Sequence, residues 1–356
     1  MKEKIVKGAV LYYNKKNNRS KQYLQRKEAL LMKQFQFGIL GAGDIAHKFC
    51  DAVRKVDGAC VAAVASKDQR RAWHFAKRHK IEDFYDNYDQ LLAREDLDAI
   101  YIATTHNFHY ENIMCCLEHN KPVLCEKSMV PTAAQAREIF DCAKEKNLFV
   151  MEAMWSRFLP HINQARQWIQ EGRIGHLEMA SCSIGFSGSR DPSHRINAPA
   201  LGGGAAYDIG VYAIELMTYL IDEPVLEMQS MLARSETGVD KVDNITLRFP
   251  SCIANLQATT AATIRQELCI YGSEGYIRIP RAHCSHSCYL YHKNGLLAKQ
   301  FHKNYGNGFV FEVRETMRCI RAGKLESSVV PHSATLQCAE LFDRCFQDWG
   351  YGESSI

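Results

Sequence analysis

Residues 35–46 read FQFGILGAGDIA: an apolar run from Phe35 to Leu40, then Gly41-Ala-Gly43, then Asp44-Ile45-Ala46 opening an amphipathic stretch. A strand, a glycine turn and a helix in immediate succession give the G-x-G-x-x-A pattern physical content, because it works only in that context. Gly41 permits a tight turn, Gly43 removes a Cβ that would strike a bound pyrophosphate, and Ala46 is small enough for helix to lie close on strand. Backbone N–H groups at Asp44 and Ile45 then face an anion from the positive end of a helix dipole. These five residues are candidate contacts for a dinucleotide.

The same alternation continues outward. Apolar runs at 60–65, 99–103, 122–125 and 148–151 are separated by helix-like segments at 44–56, 69–79, 109–119 and 132–146. This predicts an α/β domain, a Rossmann-type doubly wound parallel sheet, over residues 35–152. Beyond Met151 one helical stretch at 159–171 precedes β-type segments at 176–186, 225–234, 244–249, 253–260, 266–271 and 276–279. Runs of strands after a βαβ half predict an α+β second domain over 153–356, built on a largely antiparallel sheet. Two last helices, at 310–322 and 334–348, are expected to pack against that sheet.

The chain of 356 residues has a net charge of +4, but residues 1–34 hold ten Lys/Arg against two acids. The remainder is acidic by four charges, so the body lacks the basic face that nucleic-acid binding requires. The basic extension has no apolar core of a secretory signal; it reads as a transit peptide, a solvated tail, or upstream sequence before a start at Met32. No apolar run reaches the roughly 18 residues of a membrane span, and the expected location is cytoplasmic, with no membrane or nucleic-acid partner. The fourteen cysteines lie mostly at apolar positions, where free thiols act as small hydrophobes. His283, Cys284, His286 and Cys288 lack the paired spacing of a zinc site; an exposed hairpin is the alternative, and no metal is assigned.

Cofactor choice is read about twenty residues past the glycine turn. There Ser66-Lys67 ends the second strand, with Arg70 and Arg71 one turn on and no acid at the strand end. Asp68 comes late and is expected to cap the next helix. A 2′-phosphate is therefore better served than a free ribose, favouring NADP over NAD; a merely solvated basic face is the other reading of these cations.

Glu126-Lys127 stands just past the fifth strand, at the carboxyl edge where open α/β sheets bind ligands. An ammonium there can polarise a reacting oxygen and lower the pKa of a neighbouring acid, although such a pair also occurs as an ordinary surface ion pair. Residues 201–215 read LGGGAAYDIGVYAIE, a glycine turn entering a helix. Asp208 and Tyr212, four apart, share a face, and Tyr212 near Lys127 could serve as proton donor or acceptor. Tyr207 is a rival phenol that this spacing does not eliminate.

The glycine turn, Glu126-Lys127, the segment Met151-Glu-Ala-Met-Trp155-Ser-Arg157-Phe158 and the run Gly202–Tyr212, in this order, resemble the glucose-fructose oxidoreductase / inositol dehydrogenase / MocA-like family across residues 35–350. Within it the likeness is to dimeric dihydrodiol dehydrogenases and NADP-dependent sugar dehydrogenases. The resemblance implies hydride transfer between NADP and a secondary alcohol or carbonyl of a small-molecule sugar, polyol or trans-dihydrodiol, in a homodimer or higher homo-oligomer. It implies Lys127 as catalytic cation and Tyr212 as proton donor or acceptor, kept acidic by Lys127. It further implies Trp155, Phe186 and Asp208 around the substrate, and Thr104, Asn107, His109 and Glu126 near the nicotinamide. Two departures stand out: Ser128 replaces the family's usual Pro, and Tyr212 stands where most members carry His. The rival from another class is a catalytically silent, cofactor-bound regulator or scaffold.

Overall fold

The computed structural model describes residues 34–350, so the three readings of the basic extension concern residues outside the described ones. The first half is β1 (Phe35–Leu40), α1 (Asp44–Val53), β2 (Ala59–Ala65), α2 (Gln69–His79), β3 (Asp83–Tyr85), α3 (Tyr88–Leu92), β4 (Ala99–Ile102), α4 (His109–Glu118), β5 (Val123–Cys125), α5 (Ala133–Glu145) and β6 (Val150–Glu152). All neighbouring strands are parallel, in the order β3-β2-β1-β4-β5-β6. The order reverses between β1 and β4, and the crevice above a reversal of this kind is where such sheets bind ligands. β3 and α3 went unread in the sequence because Asp-Phe-Tyr is short and mostly exposed, leaving no apolar run to detect. Asp68 does cap α2, accepting the Arg71 N–H at 3.1 Å.

The second sheet follows α6 (Pro160–Gln170). Its strands are β7 (Leu177–Gly185), β8 (Glu227–Arg234), β9 (Asp240–Arg248), β10 (Ile253–Thr259), β11 (Glu267–Gly272), β12 (Gly275–Pro280), β13 (Ser287–His292) and β14 (Leu297–His302). They lie in the order β14-β13-β12-β11-β7-β10-β9-β8, antiparallel except for the β7–β10 pair. β13 and β14 extend the sheet beyond the sequence reading; β14 is almost wholly exposed, so it shows no alternation. Between β7 and β8 runs α7 (Val211–Ile221), every residue of which is buried. A helix without a polar face can survive only in the middle of a molecule. One apolar cluster accordingly runs from Phe37 and Phe49 through Trp168 and Leu216 to Leu256 and Ile277, joining both halves.

The last two helices correct an expectation. α8 (Phe309–Arg321) packs on α1 and the turn Trp155–Phe158, and α9 (His332–Asp348) packs on α5 and α7 as well as on β8. Polar contacts tie them to the first half: the Ala133 N–H donates to Asp343 at 3.0 Å, and the Val150 N–H to the Leu325 carbonyl at 3.0 Å. Their apolar faces carry no information about which sheet they cover. α8 thereby becomes a wall of the crevice.

Candidate active site

A cleft of about 1060 Å³ lies over the strand reversal, between the first sheet and the segments that β7, α7, β12 and α8 bring to it. One end is edged by backbone. Gly41 sits at φ +97°, and a Cβ there would fall 2.8 Å from the Ala103 carbonyl oxygen, so only glycine fits. A Cβ on Gly43 would meet no protein atom closer than 3.9 Å. The protein leaves that space open, as a cradle for an approaching pyrophosphate requires. α1 begins at Gly43 with no side-chain cap, so its first N–H groups stay available to an anion. Ser66, Lys67, Asp68 and Arg71 line the same end, with the Lys67 ammonium 5.2 Å from the Phe108 ring. The donor set thus fits a phosphorylated dinucleotide.

The other end is built from side chains. Lys127, at the end of β5, donates to the Asp208 backbone carbonyl, and its Nζ lies 3.9 Å from the Asp208 carboxylate and 5.0 Å from the centre of the Tyr212 ring. Asp208 comes from a single π-turn, Ala206–Gly210, that leads directly into α7. Its Oδ1 also receives Arg195 at 3.0 Å. Burial resists ionisation of Asp208, but Lys127 and Arg195 outweigh it and hold the acid below the usual carboxylate range. Burial draws the Lys127 ammonium below its ordinary value, against Asp208 and Glu126. Glu126 accepts a hydrogen bond from Tyr101, and burial raises it.

Tyr212 Oη accepts the Trp155 indole N–H at 2.9 Å. That bond leaves the phenolic hydrogen free for the cleft. Trp155 in turn stacks on Phe309, ring centres 5.3 Å apart, so it orients the phenol as well as lining the site. Burial, reinforced by the Glu126 charge, pushes Tyr212 well above the ordinary phenol range. Burial thus favours the neutral phenol and outweighs the expected acidification by Lys127, whose ammonium lies over the ring at 5.0 Å from its centre. Tyr207 is directed elsewhere, its hydroxyl donating to the Pro131 carbonyl at 3.1 Å and its ring packing on Phe342 and Phe346.

Of the residues singled out in the sequence, Gly41, Gly43, Asp44, Ile45, Ser66, Lys67, Arg71, Thr104, Glu126, Lys127, Trp155, Asp208 and Tyr212 all line this cleft. Four do not. Ala46 is fully buried on the inner face of α1, the packing role expected of it. His109 is also fully buried, its Nδ1 against the Ser128 carbonyl at 3.0 Å and its Nε2 against that of Thr104 at 3.0 Å, so it ties two loops together away from the cleft. Asn107 turns outward and donates to Ala200. Phe186 packs against the core, its N–H bonded to Thr259 at the edge of the sheet.

His106 was missed. Its ring faces the carbonyls of Lys127 at 3.1 Å and Gly202 at 3.3 Å, linking the three loops that meet at the site. Burial and the Lys127 charge push it down to about 3, so it is neutral and donates from one nitrogen only. The one-turn 3₁₀ helix His106–Phe108 decides which member of this His-Asn-Phe-His run faces inward, and no periodicity in the sequence reveals that phase. Lys48 also lines the cleft; its place one turn after Asp44 could have found it. Arg195, which opens the 3₁₀ helix Arg195–Asn197, has no comparable signal, and His283 stood out in the sequence only as part of a His/Cys cluster. The Lys127–Ser128 peptide bond is cis, and the Ser128 hydroxyl donates to the Tyr207 carbonyl at 3.2 Å.

Residues 35–154 match the model of an oxidoreductase family with an NAD-binding Rossmann fold, and residues 162–278 that of the GFO/IDH/MocA C-terminal domain. Trans-1,2-dihydrobenzene-1,2-diol dehydrogenase of Xenopus tropicalis is 30% identical over 329 residues, covering 88% of this chain and 98% of the relative. D-xylose 1-dehydrogenase (NADP(+)) of Hypocrea jecorina is 32% identical over 361 residues, covering 88% and 92%. Among solved structures, a 3-ketoreductase from Actinomadura kijaniata superposes with a TM-score of 0.81 at 24% identity, covering 88% of this chain and 97% of that one. This chain belongs to the GFO/IDH/MocA oxidoreductase family, and its first half is an NAD-binding Rossmann domain.

Proposed function

We propose that the protein is an NADP-dependent dehydrogenase or reductase acting on a secondary alcohol or its carbonyl, in a sugar, polyol or trans-dihydrodiol. The reading rests on the meeting of Lys127 and Tyr212 on one wall of a glycine-edged cleft. The relatives named for dihydrodiol and NADP-linked xylose oxidation support the substrate class and the cofactor. Residues 35–152 hold the dinucleotide on the backbone of Gly41–Ile45, with Ser66, Lys67 and Arg71 at a 2′-phosphate; residues 153–356 supply the substrate wall. When bound, the nicotinamide supplies or accepts the hydride. In reduction the neutral Tyr212 hydroxyl gives its proton to the carbonyl oxygen, while the Lys127 ammonium stabilises the negative charge that develops there. Oxidation is the reverse step and starts from the Tyr212 phenolate, which takes the proton of the substrate hydroxyl as hydride leaves its carbon. Proton transfer of this kind is typically worth about 10²–10⁴-fold, and the fixed ammonium acts by electrostatic preorganisation.

The protein works in the cytoplasm as a homodimer through the outer face of its second sheet. All fourteen cysteines are free thiols, as a reducing compartment favours, and among the described residues no helix is long and apolar enough to cross a membrane. Met179, Ile253 and Met231 are exposed on that outer face, beside the stacked Tyr276 and Tyr291.

The test is NADPH and NADH turnover on a panel of sugars, osones and trans-diols in both directions. NADPH-linked turnover is expected, and Ser66→Asp with Lys67→Ala should shift preference about tenfold toward NADH, since charge-assisted contacts to the 2′-phosphate are lost. Cofactor binding without turnover on any substrate would instead make this a silent cofactor-bound regulator.

A further inference from the structure

The segment between β12 and β13, residues 281–286, turns into the cleft opposite the glycine edge. Here the structure departs from the sequence expectation. Cys288 is fully buried in β13, while His283, Cys284 and His286 line the cleft rather than an exposed hairpin. Among the described residues these four do not form a group that could hold a metal ion.

The His283 ring lies 5.2 Å from the Tyr212 ring, tilted by 33°. Its Nδ1 is buried with no hydrogen-bond partner, as is the Nδ1 of His286. The His283 Nδ1 is sealed from the cleft, so it is through Nε2, which is not among the sealed atoms, that the cleft-lining His283 can meet a ligand. Three nearby donors each have an internal partner. The Trp155 N–H is given to Tyr212, the Tyr305 hydroxyl to the Ser285 carbonyl at 2.6 Å, and Lys127 to Asp208. Burial and the charges of Arg281 and Lys127 push His283 down to about 4, so near neutral pH it offers one N–H and one bare nitrogen. The reachable nitrogen is a donor or an acceptor according to the tautomer, and a hydroxyl can answer either, whereas a carboxylate only accepts and an ammonium only donates. The stacked pair Trp155 and Phe309 lines the same cleft and offers it flat apolar surface.

We propose that His283 is a specificity residue that hydrogen-bonds a second hydroxyl of the substrate, vicinal to the carbon whose hydride is transferred. This rests on the site assigned to Lys127 and Tyr212 and gives His283 a part in recognising those sugars, polyols and dihydrodiols, each of which carries a vicinal hydroxyl. Simple secondary alcohols lack this partner and are bound more weakly. Sites built to hydrogen-bond a hydroxyl discriminate strongly against ligands that lack it.

The experiment measures binding of trans-cyclohexane-1,2-diol and of cyclohexanol to the full chain with NADP⁺, by calorimetry, alongside turnover of both. The wild type is expected to bind the diol at least about tenfold more tightly, as one buried hydrogen bond allows. His283→Leu should abolish that preference by weakening the diol alone, and His283→Asn, which keeps a donor and an acceptor, should restore part of it. Equal affinities in the wild type, an unchanged preference in His283→Leu, or equal weakening of both ligands would overturn the proposal. Preferential diol binding without turnover would support His283 as a hydroxyl contact while counting against the catalytic roles of Lys127 and Tyr212.

Discussion

Asp208 and Glu215 lie seven residues apart, two helical turns, on the segment that becomes α7. Each meets a cation from the first half of the chain or the turn beyond it, and the two pairs differ in a way that separates function from architecture. Arg157 and Glu215 approach to 2.7 Å, with side chains 5% and 0% exposed. Around them Glu152 accepts the Met129 N–H at 2.9 Å and the Thr335 hydroxyl at 2.8 Å, locking β6 to α9. Lys127 and Asp208 stand at 3.9 Å, 13% and 11% exposed, on the wall of a cleft. The sealed pair sets one charge against the other away from water. The open pair keeps an ammonium whose remaining hydrogens can reach a ligand, with Arg195 holding Asp208 in its place. Similar side chains at similar spacing thus become scaffold or site according to whether a cavity touches them.

The sharpest way to break this contrast is Lys127→Met. It should lower turnover by about 10³-fold, since a preorganised charge and its support of proton transfer are both removed. NADPH affinity by fluorescence and the melting temperature should stay near wild type, because Asp208 retains Arg195. Turnover equal to wild type would show that the open pair is not catalytic. Arg157→Met is the mirror test. It strands a carboxylate at zero exposure, and breaking a buried pair costs about 3–5 kcal/mol. At roughly 2–4 °C per kcal/mol, thermal unfolding should fall by about 10 °C, while kcat measured at low temperature changes little. A variant that melts normally but has lost turnover would place Arg157 in the site instead. Gly308→Ala probes the smallest effect. Its Cβ would come within 2.7 Å of the Trp155 ring, displacing the indole that donates to Tyr212. Losing that one orienting hydrogen bond should reduce kcat by roughly tenfold, with KM for NADPH unchanged; full activity would mean that Tyr212 needs no such orientation.

A pH series sharpens the comparison further. Burial, with the Glu215 charge, raises Glu152 to about 7 from an ordinary 4.5. The folded state therefore binds this proton more tightly than the unfolded one, so its contribution is full below about 4.5 and is lost as pH rises through about 7. Chemical denaturation between those values should show stability falling with pH, and Glu152→Gln should flatten that slope. An unchanged slope would assign the titration to another group.

Much of the first half was legible in the sequence because its signals are local. A glycine turn between an apolar run and an amphipathic helix specifies backbone conformation within a dozen residues, and Gly41, Gly43 and the missing acid at Ser66 keep their meaning wherever the rest of the chain goes. Lys127 and Tyr212 could be named from motif order, though not their relation: spacing says nothing about whether an ammonium sits at a phenol's oxygen or over its ring. The orientation of Tyr212 by Trp155, the inward phase of His106, the burial of His109 and the entry of His283 all depend on where α7, α8 and the β12–β13 segment pack. These are contacts between residues tens to hundreds of positions apart, selected by the fit of side chains in a shared core. Local pattern alone thus determined a dinucleotide-binding sheet and the residue types gathered along its cleft; only tertiary packing decided which of those groups share a cavity, because proximity across the fold is a property of volumes filled and not of intervals along the chain.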